Sequence, residues 1–232
     1  MRLAIMQPYF FPYIGYFQLI AAVDLFIVYD GIKYTKKGWI NRNRMLVNGK
    51  DVLFSLPLKG DSDNLDVRER ELSTDFSRDK LLNKVSGAYR RAPYFAETFP
   101  LIEQIVLNKE SNLFRFLHYS IIKTCAHLGI ATQIKVSSDM AIDHDLTNQG
   151  KVLALCRASG ANTYVNAIGG IELYSKEAFQ EKGIDLKFIR AKPFEYAQFG
   201  EPFVPWLSII DVMMFNSLET IQACISTNRE LI

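Results

Sequence analysis

A short, largely apolar run, Arg2 to Met6, leads directly into Gln7-Pro8-Tyr9-Phe10-Phe11-Pro12-Tyr13-Ile14-Gly15-Tyr16-Phe17, and a helix-like apolar segment continues from Phe17 to Val23. Two prolines stiffen the link, so the chain leaves a buried strand through a fixed loop and enters a helix at once. That is the opening unit of an α/β fold. A second run, Asp24 to Asp30, is β-branched and aromatic and ends in an acid. Strand, helix and strand make a βαβ unit, whose crossover is expected to be right-handed. Ligands of such folds bind beyond the carboxyl ends of the strands, and Gln7, Tyr9, Tyr13, Gly15, Tyr16 and Asp30 all follow those ends.

Further along, Met45-Leu46-Val47 and Val52 to Leu58 read as strands joined by the turn Asn48-Gly49, a strong hairpin signal. From Phe76 to about Leu128 the apolar spacing is helical, in three stripes led by Leu81-Leu82-Val85, Phe99-Ile102-Ile105 and Leu113-Phe116-Leu117-Ile121-Cys125, with Gly129 as the stop. Alternation then returns: strand signals at Thr132–Val136, Asn162–Val165 and Ile184–Ile189, helices at Gly150–Ala158 and Lys176–Lys182, and two closing helices after Pro205. The expected architecture is a single α/β domain over 1–232, Rossmann-like, with a mostly parallel sheet and a helical insertion at about 76–129.

At 232 residues and 49% apolar, the chain can bury an enzyme-sized core. A net charge of +2 supplies no general field for phosphate backbones, so DNA is not an expected partner. Three cysteines, Cys125, Cys156 and Cys224, are an odd number without CxxC spacing, which argues against a disulfide framework or a zinc site and fits a reducing cytoplasm. No stretch approaches the roughly 20 apolar residues of a membrane span. His118 and His127 fall in helical patterns, and Asp143-His144-Asp145 reads as a solvated turn, so no metal is expected. No motif identifies a cofactor.

Chemistry-bearing residues cluster after the second strand: Asp30, Lys33, Lys36, Lys37, Trp39, Asn41, Arg42, Asn43 and Arg44. Arginines suit phosphate and tryptophan suits a sugar or base ring, while lysines equally protect an exposed strand edge. Ser137-Ser138-Asp139 and Asn166 to Gly170 also follow strands. Ser208 precedes the helix that carries Asp211, where it suits an N-cap as well as a ligand contact. Tyr13-Ile14-Gly15-Tyr16 stands where nucleotidyl-transfer enzymes of the HIGH type carry His-x-Gly-His. Tyrosine lacks the positive charge of that motif, and no KMSKS-like loop is present.

Taken together, Gln7-Pro8, Pro12-Tyr13-x-Gly15-Tyr16-Phe17, Asp30 before Trp39-x-Asn41-Arg42, Leu56-Pro57-Leu58, Tyr164 with Gly169-Gly170, and Ser208-Ile209-Ile210-Asp211 resemble the WbqC-like protein family of bacteria. The resemblance spans nearly the whole chain. It implies a role in surface-polysaccharide (O-antigen) synthesis, with attachment of glycine or another amino-acid-derived acyl group to an amino sugar as the activity proposed for some members. It carries over no catalytic residues.

Residue chemistry supplies the roles within that expectation. Asp30 is the first candidate base for an attacking amine and Asp211 the second; Lys33, Arg42 and Arg44 would hold a diphosphate; Gln7, Tyr13 and Tyr16 would orient the ligand, with Tyr9, Gly15, Trp39, Asn41 and Ser208 completing the binding set. The expected partners are a nucleotide-linked sugar and an activated acyl or aminoacyl donor of open identity. Two rival readings are a HIGH-type nucleotidyl-transfer or adenylating enzyme and a non-catalytic protein that binds sugar nucleotides or glycans.

Overall fold

A computed structural model describes residues 1–60, 62, 64–200 and 202–232. The chain runs β1 (Arg2–Met6), α1 (Ile14–Ile20), β2 (Leu25–Val28), β3 (Arg42–Val47), β4 (Lys50–Ser55), α2 (Arg78–Tyr89), α3 (Phe95–Val106), α4 (Leu113–His127), β5 (Gln133–Val136), α5 (Asn148–Ser159), β6 (Thr163–Ala167), α6 (Lys176–Gln180), β7 (Asp185–Ala191), α7 (Ile209–Phe215), α8 (Leu218–Thr227) and β8 (Arg229–Leu231). Six strands form one sheet in the order β5-β2-β1-β6-β7-β8. The first five run parallel and β8 pairs antiparallel with β7. This is a Rossmann-like, mostly parallel sheet.

The period of two along each strand divides the core. Ala4, Phe26, Val28, Val165 and Ile189 face a larger cluster with α1, the β3–β4 hairpin, α2 to α4, α7 and α8. Leu3, Ile5, Leu25, Ile27, Tyr164, Leu186 and Phe188 face a smaller one with α5 and α6. Both faces of β1 and β2 are therefore buried, which explains why these strands read as unbroken apolar runs rather than alternating ones. Because β2 lies on one side of β1 and β6 on the other, the helices α1 and α5 that serve the two directions pack on opposite faces, and a crevice opens at the reversal.

Between β2 and β5 the chain builds the β3–β4 hairpin and the three helices expected from the apolar stripes. Asn48 and Gly49 have φ of +50° and +73°, the left-handed pair that a two-residue hairpin turn requires. Gly129, at φ +71°, lets the chain leave α4. The hairpin also clamps the proline-rich loop after β1: Asn43 Nδ2 donates to the carbonyls of Phe10 and Phe11 at 3.1 and 2.8 Å. Phe10 and Phe11 are fully buried, so two of the loop's aromatics serve the core rather than a pocket.

Candidate functional site

The carboxyl ends of β1, β2, β5 and β6 surround a cleft of about 1260 Å³. Gln7 leaves β1 into it, Asp30 stands two residues beyond β2, Ser137 and Ser138 follow β5, and Asn166 and Gly170 come from the end of β6. The Ser137 hydroxyl donates to Asp30 Oδ1 at 2.6 Å and the Ser138 amide donates to the same oxygen at 3.0 Å. Asp30 is 2% exposed. Its Oδ2 accepts no hydrogen bond among the described residues and is not sealed from solvent. A carboxylate anchored through one oxygen and open at the other can take a proton or a ligand hydrogen bond in a fixed direction.

Neutral polar groups flank it. Gln7 Nε2 donates to the Tyr9 hydroxyl at 2.8 Å. Burial pushes the Tyr9 and Tyr29 phenols above their ordinary value; at Tyr9 the hydrogen bond from Gln7 works the other way, and at Tyr29 the charges of Asp66 and Asp30 add to the rise. Both remain protonated donors at neutral pH. On the rim, Lys33 Nζ lies 3.1 Å from Asp66 Oδ1, with Arg68 3.8 Å from the other oxygen of the same carboxylate. Asp66 in turn caps the short 3-10 turn Val67–Glu69.

His144, Asp145, Tyr164 and Gly169 also line the cleft, whereas Tyr13, Gly15, Tyr16, Trp39, Asn41, Arg42, Arg44, Ser208 and Asp211 lie outside it. Tyr16 is 7% exposed and donates its hydroxyl to the Gln7 carbonyl, so it props the loop from behind. Tyr13 lines a separate apolar pocket of about 200 Å³ with Phe194, Tyr196 and Trp206. A side chain at Gly15 would meet the Tyr13 ring at 3.3 Å, so this glycine lets Tyr13 fold back over the start of α1. Arg42 donates to the carbonyls of Lys37 and Gly38. Arg44 pairs with Asp51 at 2.9 Å and reaches the Trp206 carbonyl. Trp39, 40% exposed, lies beside both guanidinium groups, and Asn41 links the Tyr34 hydroxyl to the Leu56 carbonyl.

Asp211 is wholly buried, accepting from the hydroxyls of Tyr89 at 2.8 Å and Tyr196 at 2.7 Å and from Gln198 at 2.8 Å. Burial raises its carboxyl pKa above the ordinary value despite the three donors. Ser208 caps α7 and donates to the Phe11 carbonyl at 2.8 Å. The geometry makes these two groups ties between α7, the first loop and α2. What sequence reading did not single out is Lys151, in the first turn of α5 and lining the cleft. A signal for it existed: a lysine near a helix N-terminus opposes the helix dipole, and no acid accompanies it in that turn.

The model of the WbqC-like protein family matches residues 7–223, nearly the whole chain. The chain belongs to this family. The family match begins at Gln7 and takes in every cleft residue named above from there to Gly170. The chain is 29% identical to the uncharacterized protein Rv1507c of Mycobacterium tuberculosis (strain ATCC 25618 / H37Rv) over 220 residues, which cover 93% of each chain. No solved structure gives a significant match. Among the described residues of this WbqC-like protein, no helix is long and apolar enough to cross a membrane.

Proposed function

We propose that this protein transfers an acyl or aminoacyl group, such as glycyl, to the amine of a nucleotide-linked amino sugar, within surface-polysaccharide synthesis. The observation that carries the reading is Asp30: a carboxylate that lines a large cleft at the reversal of the sheet, fixed through Oδ1 by Ser137 and Ser138, with no hydrogen bond to Oδ2 among the described residues. The acceptor amine must be neutral to attack. As its nitrogen bonds to the acyl carbon, the bond from that carbon to the donor's leaving group breaks, and the proton released by the nitrogen passes to Asp30 Oδ2. Cleft cations would hold the diphosphate, and Gln7 and Tyr9 would position the sugar.

The size of the cleft supports a ligand larger than a free sugar, since drug-sized ligands occupy roughly 300–1000 Å³. The adenylating alternative gains no support from the start of α1, where Tyr16 is packed into the core and Tyr13 faces the separate apolar pocket. The test is to incubate the protein with a panel of nucleotide-linked amino sugars and aminoacyl or acyl donors and to follow the acceptor by mass spectrometry. A mass increase of one acyl group on the amino sugar, absent with the corresponding hydroxy sugar, is the expected result. Tight binding of the nucleotide sugar with no acylation by any donor class would assign the cleft to binding alone.

A further inference from the structure

Three cations line the cleft, and one has no counter-ion among the described residues. Lys33 and Arg68 share Asp66. Lys151 is 8% exposed, and among the described residues no carboxylate lies within ion-pair distance of it. Its Nζ donates once, to the His144 carbonyl at 2.9 Å, and lies 5.4 Å from the centre of the Tyr29 ring. Two of the three ammonium protons therefore have no acceptor there. A buried, uncompensated charge is costly, and its position in the first turn of α5 raises that cost, because the helix dipole is positive at the same end.

The backbone beside it has the same surplus of donors. The N-cap residue Thr147 makes no side-chain cap, and the amides of Asn148, Gln149 and Gly150 donate no hydrogen bond among the described residues. Thr147, Asn148 and Gln149 line the cleft with Lys151. A buried ammonium with spare donors and the solvent-facing, uncapped start of a twelve-residue helix thus converge on one wall, and an anion bound there would accept from both.

We propose that this wall is a phosphate-binding site in which Lys151 and the first turn of α5 hold the diphosphate of the ligand. The proposal deepens, and rests on, the reading of the cleft as a site for a nucleotide-linked sugar. It assigns the diphosphate to the helix that follows β5. In many Rossmann-like proteins that group lies on the helix after β1, but here α1 spans seven residues and opens beside the apolar Tyr13 pocket.

Inorganic pyrophosphate is the probe, titrated calorimetrically into the wild type, Lys151→Met, Lys151→Arg and a control, Lys187→Ala, whose ammonium pairs with Asp185 near the start of β7. The wild type and the control should bind alike, Lys151→Met at least tenfold more weakly, and Lys151→Arg within a few fold of the wild type. Lys151→Met should melt at the same temperature as the wild type or higher in phosphate-free buffer, because it removes an unpaired buried charge while keeping the stem. Equal pyrophosphate affinity in Lys151→Met, or a large fall in its melting temperature with affinity unchanged, would overturn the proposal. Should that variant not fold, the wild-type amide resonances of Asn148 and Gln149 decide the matter: they shift with pyrophosphate if the site is real and stay fixed if it is not. Pyrophosphate binding without acylation of any amino sugar would fault the transfer reaction and leave the anion site standing. Acylation with unchanged nucleotide-sugar affinity in Lys151→Met would fault the anion site alone.

Discussion

Ser137 and Asp30, 107 positions apart, meet through two hydrogen bonds: the serine hydroxyl donates to Asp30 Oδ1 at 2.6 Å and accepts from the Asp30 amide at 3.3 Å. The pair ties the end of β5 to the end of β2 and leaves the second carboxylate oxygen without a hydrogen bond among the described residues. Ser137→Ala removes a donor to a charged group and orphans a buried amide, so it should lower stability by roughly 1–3 kcal/mol. Urea unfolding measures this. A change below about 0.5 kcal/mol, the ordinary scale of surface substitutions, would mean that the bond contributes little.

Tyr89 joins a second buried network. Its hydroxyl accepts from the Leu46 amide and donates to Asp211 Oδ1, both at 2.8 Å. Tyr89→Phe keeps the ring but leaves a donor and a carboxylate oxygen unpaired, at a cost of roughly 2–4 kcal/mol. The midpoint of chemical denaturation should fall accordingly, with the binding of cleft ligands unchanged in the folded protein.

Burial sets the sign of the pH dependence at Asp211. Its folded pKa lies above the ordinary 3.8, so its contribution is fully present below the unfolded value and is lost as pH rises through the folded one. The melting temperature of the wild type relative to Asp211→Asn should therefore decline as pH is raised from about 4. A relative rise over that interval would mean that the three donors outweigh burial.

Arg42 separates a ligand contact from a structural one. Its guanidinium holds the carbonyls of Lys37 and Gly38, outside the cleft. Arg42→Ala should cost about 1 kcal/mol of stability and leave pyrophosphate affinity as in the wild type, checked by melting curves and calorimetry on the same sample. A tenfold loss of affinity would bring Arg42 back to the ligand.

All three cysteines are free and buried, and burial pushes the thiols of Cys125 and Cys156 up to about 12. At pH 8 the native protein should react slowly with a thiol reagent at every site, and three thiols should appear on unfolding. Rapid reaction of one thiol in the native state would show that its helix opens readily.

The centre of the sheet was legible because β1 and β2 are buried on both faces, which leaves a continuous apolar signature, β7 because its apolar residues Leu186, Phe188 and Ile189 punctuate a polar strand, and the hairpin because Asn48-Gly49 suits one turn type. Two features escaped. β8 is three residues long, Arg229–Leu231, with a polar composition that gives no strand signal before it meets β7. The start of α1 at Ile14, ahead of the expected Phe17, lacks a capping side chain, since Tyr13 stands at the N-cap. Gln7 and Asp30 could be paired because each stands within two residues of a strand's carboxyl end. Ser137 and Lys151 join them only through the strand order β5-β2-β1-β6, which is a tertiary fact. Arg42, Arg44 and Asn41 stand outside the cleft for the converse reason: donors near a strand in sequence are equally suited to local carbonyls, and here that is where most of them go.

The central claim is that Asp30 accepts a proton from the attacking amine. The measurement that bears on it most directly is the rate of acylation by Asp30→Asn at saturating acceptor and donor, alongside the affinity of the same variant for the acceptor. Loss of the base with shape preserved should reduce turnover by roughly 10²–10⁴-fold while the acceptor still binds. Near-normal turnover in Asp30→Asn would contradict the account.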